Sequence, residues 1–162
     1  MEQLRPEEFR IYKQLVLEAL KTFPQNFSFA YSELVYKPDS FWVDLLPQAF
    51  VLRAADSPEL VGAATLTQDM GYSKHCGDVR FVYVRPVHGG QGHGSAIMNY
   101  MHTQAALRGI EKLFLSVVHT NPAFSWYKRL GYIVHGYEQD IRRIHGRSYD
   151  RYLMYKEISI DK

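Results

Sequence analysis

Residues 82 to 95, Val-Tyr-Val-Arg-Pro-Val-His-Gly-Gly-Gln-Gly-His-Gly-Ser, constrain this chain more than any other stretch. An apolar strand runs through Pro86 into a loop dense in glycine, and the loop opens into a long amphipathic helix. That order of parts builds an anion site. Glycines let the backbone turn tightly with its amides exposed, and the free N–H groups and positive dipole of the following helix face whatever occupies the loop. A diphosphate is the natural guest. Two common designs fail here. A P-loop needs Lys-Ser or Lys-Thr after its last glycine, whereas Gly94 is followed by Ser95-Ala96. The dinucleotide pattern G-x-G-x-x-G ends in serine at Ser95, and the acid about twenty positions on, Glu111, precedes the next strand instead of ending it.

The third design is met in register. Val84, Pro86, Gly92 and Gly94 fall on V-x-P-x-x-(R/Q)-x-x-G-x-(G/A), the loop of the GNAT N-acetyltransferases. A second segment agrees: Asn121-Pro-Ala-Phe-Ser-Trp-Tyr-Lys-Arg-Leu-Gly-Tyr132 resembles that family's N-x-x-A followed by Y-x-x-L-G-F, with Tyr127, Leu130, Gly131 and Tyr132 on the pattern. Residues 150 to 156, Asp-Arg-Tyr-Leu-Met-Tyr-Lys, resemble its closing strand, so the likeness covers roughly residues 61 to 158. It implies an α/β chain of the GNAT fold: one mixed, largely antiparallel sheet flanked by helices on both faces. It also implies an acetyl-coenzyme A-dependent N-acetyltransferase acting on a primary amine of a small molecule or peptide.

Composition supports an ordinary globular chain. Its 162 residues suit one domain over residues 1–162, and 46% hydrophobic against 22% charged residues is typical of soluble proteins. No basic-then-apolar leader and no run of about eighteen apolar residues is present, so neither secretion nor a membrane is expected. Cys76 is the only cysteine, which fits a reducing, cytoplasmic setting. A net charge of +2 does not argue for nucleic acid, and the late cluster Arg142, Arg143, Arg147 and Arg151 around His145 reads as a solvated strand face or hairpin edge. Seven histidines without repeated ligand spacing give no metal site, and no G-x-S-x-G elbow occurs.

Phe9, Tyr12, Val16, Ala19, Leu20 and Phe23 recur at helical spacing, with the helix ending before Pro24. Residues 24 to 47 are irregular and aromatic, with one short helix expected. Strands are expected at Ala49–Ala54, Leu60–Thr67 and Asp78–Val84. The helix after the glycine loop should stop at Gly109. Lys112–Val118 reads as an apolar strand covered on both faces, and Asn121-Pro122 should start a short helix ending at Gly131. A hairpin of Tyr132–Asp140 and Tyr149–Ile158 should turn at His145-Gly146.

The resemblance assigns the site. It places acetyl-coenzyme A along the main chain of Val82, Tyr83 and Val84, with its diphosphate on the amides of Gly89, Gly90, Gln91, Gly92, His93, Gly94 and Ser95. Gly89 stands where the family usually has arginine or glutamine, and His93 where it is usually apolar, leaving Gln91 or Arg85 to compensate electrostatically. Tyr127 carries over as general acid to the departing thiolate, since a phenol is protonated at neutral pH. Asn121 reads either as a cofactor contact or as a helix cap, being six positions from Tyr127 where seven is usual. Ala123 and Phe124 line the same wall.

A substrate amine is protonated at pH 7 in all but about one molecule in two thousand. Asp78, at the start of the cofactor strand where the resemblance implies an acid, reads either as the base that removes its proton or as a strand-end turn residue. His119 reads either as that base or as a partly buried polar residue near a helix cap. Glu33 reads either as an acceptor-binding acid on a wall of aromatics or as an exposed helix acid. Homodimers are common in the family, which leaves a homodimer open here. Two rival readings are a non-catalytic acyl-coenzyme A sensor and an interaction domain that docks a partner through residues 23 to 42.

Overall fold

The computed structural model describes residues 1–160. Helix α1 (Phe9–Thr22) follows a 3-10 turn started by Pro6, and two short helices, α2 (Tyr31–Leu34) and α3 (Asp39–Leu45), lead into the sheet. Strands β1 (Ala49–Arg53), β2 (Leu60–Gln68) and β3 (Cys76–Val84) form an antiparallel meander. Helix α4 (His93–Leu107), β4 (Lys112–Val118) and α5 (Ala123–Arg129) come next, and the hairpin β5 (Ile133–Ile144) with β6 (Arg147–Glu157) closes the fold.

The sheet order is β1-β2-β3-β4-β6-β5, and β3·β4 is its one parallel pairing. This is the expected mixed, largely antiparallel sheet. Strand alternation sends Ala63 and Val51 to a core under α1 and α3, and Ala64 and Phe50 to a second core under α4 and α5. Trp42, Tyr12 and Leu15 fill the first core; Ile97, Met98, Met101 and Met154 fill the second.

Three expectations are corrected. Residues 24 to 47 hold two short helices instead of one, because Pro38 disfavours helical geometry at Lys37 and then starts α3. The terminal hairpin runs closer to its turn than expected. His145 (φ 50°) and Gly146 (φ 76°) are both left-handed, a two-residue turn whose twist matches that of the strands and lets Ile144 pair with Arg147. Strand β4 is covered on one face only. Leu113, Leu115 and Val117 point into the α4 core, whereas Phe114 and Ser116 face an open cleft.

Candidate active site

Strands β3 and β4 pair only at Cys76–Asp78 with Lys112–Phe114 and then separate. The register of β3 against β2 slips between Ala63 and Thr65, and Phe81 in that bulge has φ 45°. A bulge bends its strand and strengthens its twist, and a bulky non-glycine residue at positive φ persists only where its surroundings hold it. Phe81 is held by the rings of Tyr12, Phe27 and Tyr83, at centroid distances of 6.3, 5.2 and 6.2 Å. The strands therefore diverge toward their C-terminal ends. Between them, α5 and the segment after α1 lies a cleft of about 1330 Å³. Beyond Asp78, the β4-facing backbone edge of β3 has no strand partner among the described residues.

That edge runs directly into the glycine loop. Gly90 (φ 70°) and Gly92 (φ 82°) are left-handed, and a Cβ built on either would meet no atom within 4 Å, so the concave side is open. None of the amides of residues 90 to 95 donates to a backbone carbonyl among the described residues; the ladder of α4 begins with the Ala96 amide on the Gly92 carbonyl at 3.0 Å. The Gly89 amide differs, being spent on the Pro86 carbonyl at 3.0 Å. A run of free amides at the N-terminus of a 15-residue helix is what a diphosphate requires. His88 adds an imidazole Nε2 that is buried without a partner among the described residues, beside the His93 ring at 6.2 Å. The donor set fits a coenzyme A diphosphate. It does so without Arg85, whose guanidinium pairs instead with Glu18 (3.0 Å) and with Glu59.

Across the cleft, α5 presents Tyr127. Asn121 Oδ1 accepts the Ala123 amide at 2.9 Å, so its carboxamide acts as the helix cap, and its residue also lines the cleft. The helix ends at Leu130-Gly131, where Gly131 (φ 90°) turns the chain and Lys156 Nζ donates to the Leu130 carbonyl at 2.7 Å. Tyr127 is buried yet borders the cleft, wedged against Trp126 and Tyr132 at 4.9 and 5.8 Å. Burial pushes its pKa well above that of a free phenol. The hydroxyl is thus a proton donor at any physiological pH.

Behind Tyr127, the Tyr132 hydroxyl lies 3.1 Å from Nε2 of His102 on α4. Burial, with a smaller push from Lys156, lowers the His102 pKa to about 4. A folded-state pKa below the unfolded value of about 6.5 means the unfolded chain binds the proton first, so stability falls as pH drops from 6.5 toward 4. The loss attributable to His102 is on the order of 2 kcal/mol at pH 4.5. Replacing His102 by Gln, which keeps a hydrogen-bonding partner for Tyr132 and removes the titration, should flatten this acid-side slope in urea denaturation series at pH 7, 5.5 and 4.5.

The other expected site residues divide. Val82, Tyr83, Val84, Gly89, Gly90, Gly92, His93, Gly94, Ser95, Ala123 and Asp78 border the cleft with Tyr127 and Asn121. Asp78 sits where β3 and β4 part, 3.5 Å from the Arg80 guanidinium. Four residues fall elsewhere. Gln91 is exposed outside the wall. Phe124 stacks on Tyr152 at 4.2 Å, on the α5 side of the sheet. His119 Nδ1 accepts the Asp150 amide at 3.1 Å, which fixes the ring at the outer end of β4 away from the cleft. Glu33 Oε2 accepts the Ala30 amide at 2.6 Å and caps α2 outside the cleft, a capping role that three-residue spacing favours.

The cleft also holds side chains that residue order did not assign to it. Phe114, Ser116 and His135 form its floor, and Arg142 and Arg151 its far wall. Alternation along β6 could have placed Arg151 there, because it shares a face with Leu153 and opposes Val118. No such signal existed for Arg142. Its direction depends on a bulge between Glu138 and Arg142, built on left-handed Asp140 (φ 51°).

Comparison with known proteins decides the family. The chain matches the model of the Acetyltransferase (GNAT) family over residues 12–132, more than half of its length. The chain belongs to the GNAT acetyltransferase family. Solved structures similar to this GNAT chain include the GNAT-family acetyltransferase of Streptococcus pneumoniae (20% identity, TM-score 0.78, 98% of both chains). Another is the ribosomal-protein-alanine N-acetyltransferase of Brucella melitensis (16%, TM-score 0.79, 96% of this chain and 98% of that one). A third is an N-acetyltransferase of Staphylococcus aureus (14%, TM-score 0.75, 98% and 97%). At these identities they show the fold alone. No curated protein matches this GNAT chain by sequence. Among its described residues no helix is long and apolar enough to cross a membrane, and no group of three or more His, Cys, Asp or Glu could hold a metal ion.

Proposed function

We propose that this GNAT protein transfers the acetyl group of acetyl-coenzyme A to a primary amine by direct attack, with Tyr127 as the proton donor to the departing thiolate. One observation carries the reading: an unpaired strand edge on β3 continues into a loop of free amides, with a buried phenol facing both across one cleft. Acetyl-coenzyme A bound there would supply an acyl group activated as a thioester. The edge of Val82, Tyr83 and Val84 offers main-chain groups to an extended amide-bearing arm, as another strand would. The amides of Gly90 to Ser95 and the α4 dipole hold the diphosphate.

Tyr127 holds its proton because burial disfavours the phenolate, and the same apolar surroundings raise the basicity of the departing sulfur, so the proton passes to it as negative charge develops there. Asp78, which borders the cleft where β3 and β4 part, would take the amine's proton in this scheme, directly or through water. Cys76 begins β3 and is not part of the cleft wall, in keeping with attack without an acyl-enzyme.

Calorimetric titration with acetyl-coenzyme A, coenzyme A and ATP tests the cleft, and release of free thiol in an amine screen tests transfer. Micromolar binding of both coenzyme A species without ATP binding, together with amine-dependent thiol release, is the expected result. Binding without transfer to any amine would favour the sensor reading; no binding of either coenzyme A species would overturn the site.

A further inference from the structure

The charged side chains along the cleft are unevenly matched: Arg80, Arg142 and Arg151 face it, with Asp78 as the one carboxylate among the described residues. Two of these arginines are committed. Arg80 lies 3.5 Å from Asp78, and Arg151 pairs with Glu138. Arg142 is different. It is partly buried, and its guanidinium spans from β5 to the segment after α1, donating to the Gln25 carbonyl and to Ser28 Oγ (3.3 Å). Both partners are neutral, and Arg142 forms no ion pair among the described residues. A guanidinium has five N–H donors in a planar fork, so these two bonds leave donors free. Burial and the neighbouring charge of Arg151 both disfavour its cationic form. An unneutralised cation held half out of water is costly unless an anion meets it.

The coenzyme A diphosphate is not that anion. The glycine loop opens into α4 on one face of the sheet, whereas Arg142 is tied to Gln25 and Ser28, which follow α1 on the opposite face. Arg151 lies on that same face, because its neighbour Tyr152 packs against the α4 core and alternation turns Arg151 away from it. Whatever enters from the α1 side reaches the splay between β3 and β4 past these two guanidinium groups. Phe27 and Phe29, on the same segment, supply apolar walls.

We propose that the acceptor is a small primary amine that also carries a carboxylate, and that Arg142 binds this carboxylate with its free donors. The assignment deepens the acetyltransferase reading and rests on it for the word acceptor; the carboxylate site itself does not depend on turnover. Arg142 is a specificity-determining residue in this scheme.

Binding and turnover are measured separately. N-acetylated amino acids, the products of such a transfer, are titrated as a panel of free carboxylates and matched amides by saturation-transfer NMR, with coenzyme A present. At least one carboxylate is expected to bind about ten- to a hundredfold more tightly than its amide, the value of a charge-assisted pair. Arg142→Gln should bring the two to parity without moving the coenzyme A affinity. Arg142→Lys, which keeps the charge and loses the fork, should fall between, and covers the case in which the glutamine variant unfolds. Equal binding of carboxylates and amides, a preference that survives Arg142→Gln, or no binding of the panel would overturn the proposal. In the parallel thiol-release assay, carboxylate-selective binding with no transfer to any free amino acid would instead sink the acetyltransferase reading and leave the anion site in place.

Discussion

Replacing Gly92 by valine is expected to weaken acetyl-coenzyme A binding at least a hundredfold. Gly92 has φ 82°, a region that β-branched residues essentially do not adopt. Valine would pull the peptide toward negative φ and rotate the amides of residues 90 to 95 away from their common focus. Had it stayed in place, its side chain would stand in the open space of the loop, since no protein atom lies within 4 Å of a Cβ there. Either way the diphosphate loses donors or room, and a loss of 2.7 kcal/mol or more corresponds to about a hundredfold. The same open surroundings mean that the substitution creates no clash in the core, so the melting temperature should change by only a few degrees. Gly92→Ala separates the two causes: the left-handed strain of alanine costs about 1 kcal/mol with little bulk, so a roughly fivefold loss is expected. Calorimetric affinities for the three proteins check the series, and wild-type affinity in the valine variant would remove the loop from the site.

Tyr127→Phe is expected to lower kcat by a factor of about a hundred to ten thousand, the range of a single general acid. Phenylalanine fills the same volume against Trp126 and Tyr132, so packing and coenzyme A affinity should be near wild type. Only the proton is removed. Departure of the thiolate would then rely on water, and transfer from a thioester whose leaving thiol is more acidic should be less affected. Rates with acetyl-coenzyme A and with an acetyl thioester of a more acidic thiol, compared in both proteins, test this. An unchanged kcat would exclude Tyr127 as the acid, and a kcat loss accompanied by weakened cofactor binding would point to packing instead.

Strands, helices and the anion loop were largely legible from residue order because each has a local cause. Glycine at positions needing positive φ, proline at first turns, and apolar residues at period 2 or 3.6 act within a few neighbours. Gly109 and Gly131 end α4 and α5 as expected, and His145-Gly146 turns the hairpin. Placement of acids was less legible. A carboxylate three residues after a chain bend can cap a helix or reach a ligand, and Glu33 caps. The position of His119 was hidden for a similar reason: its ring is held by the amide of Asp150, a residue distant in sequence, through a hydrogen bond no local pattern announces.

By itself the sequence determined the element order, the glycine loop with its unpaired amides, and Tyr127 on the helix after β4, because these follow from short-range backbone preferences and motif spacing. Tertiary structure alone decided that β3 and β4 part after three paired residues each, that Phe114 and Ser116 face a cleft, and that Arg142 points into it. Those outcomes depend on the bulges at Phe81 and Asp140. Both are left-handed residues that no local preference demands: Phe81 is held by rings from α1 and the segment after it, and Asp140 by Arg143, Ser148 and Asp150 across the hairpin.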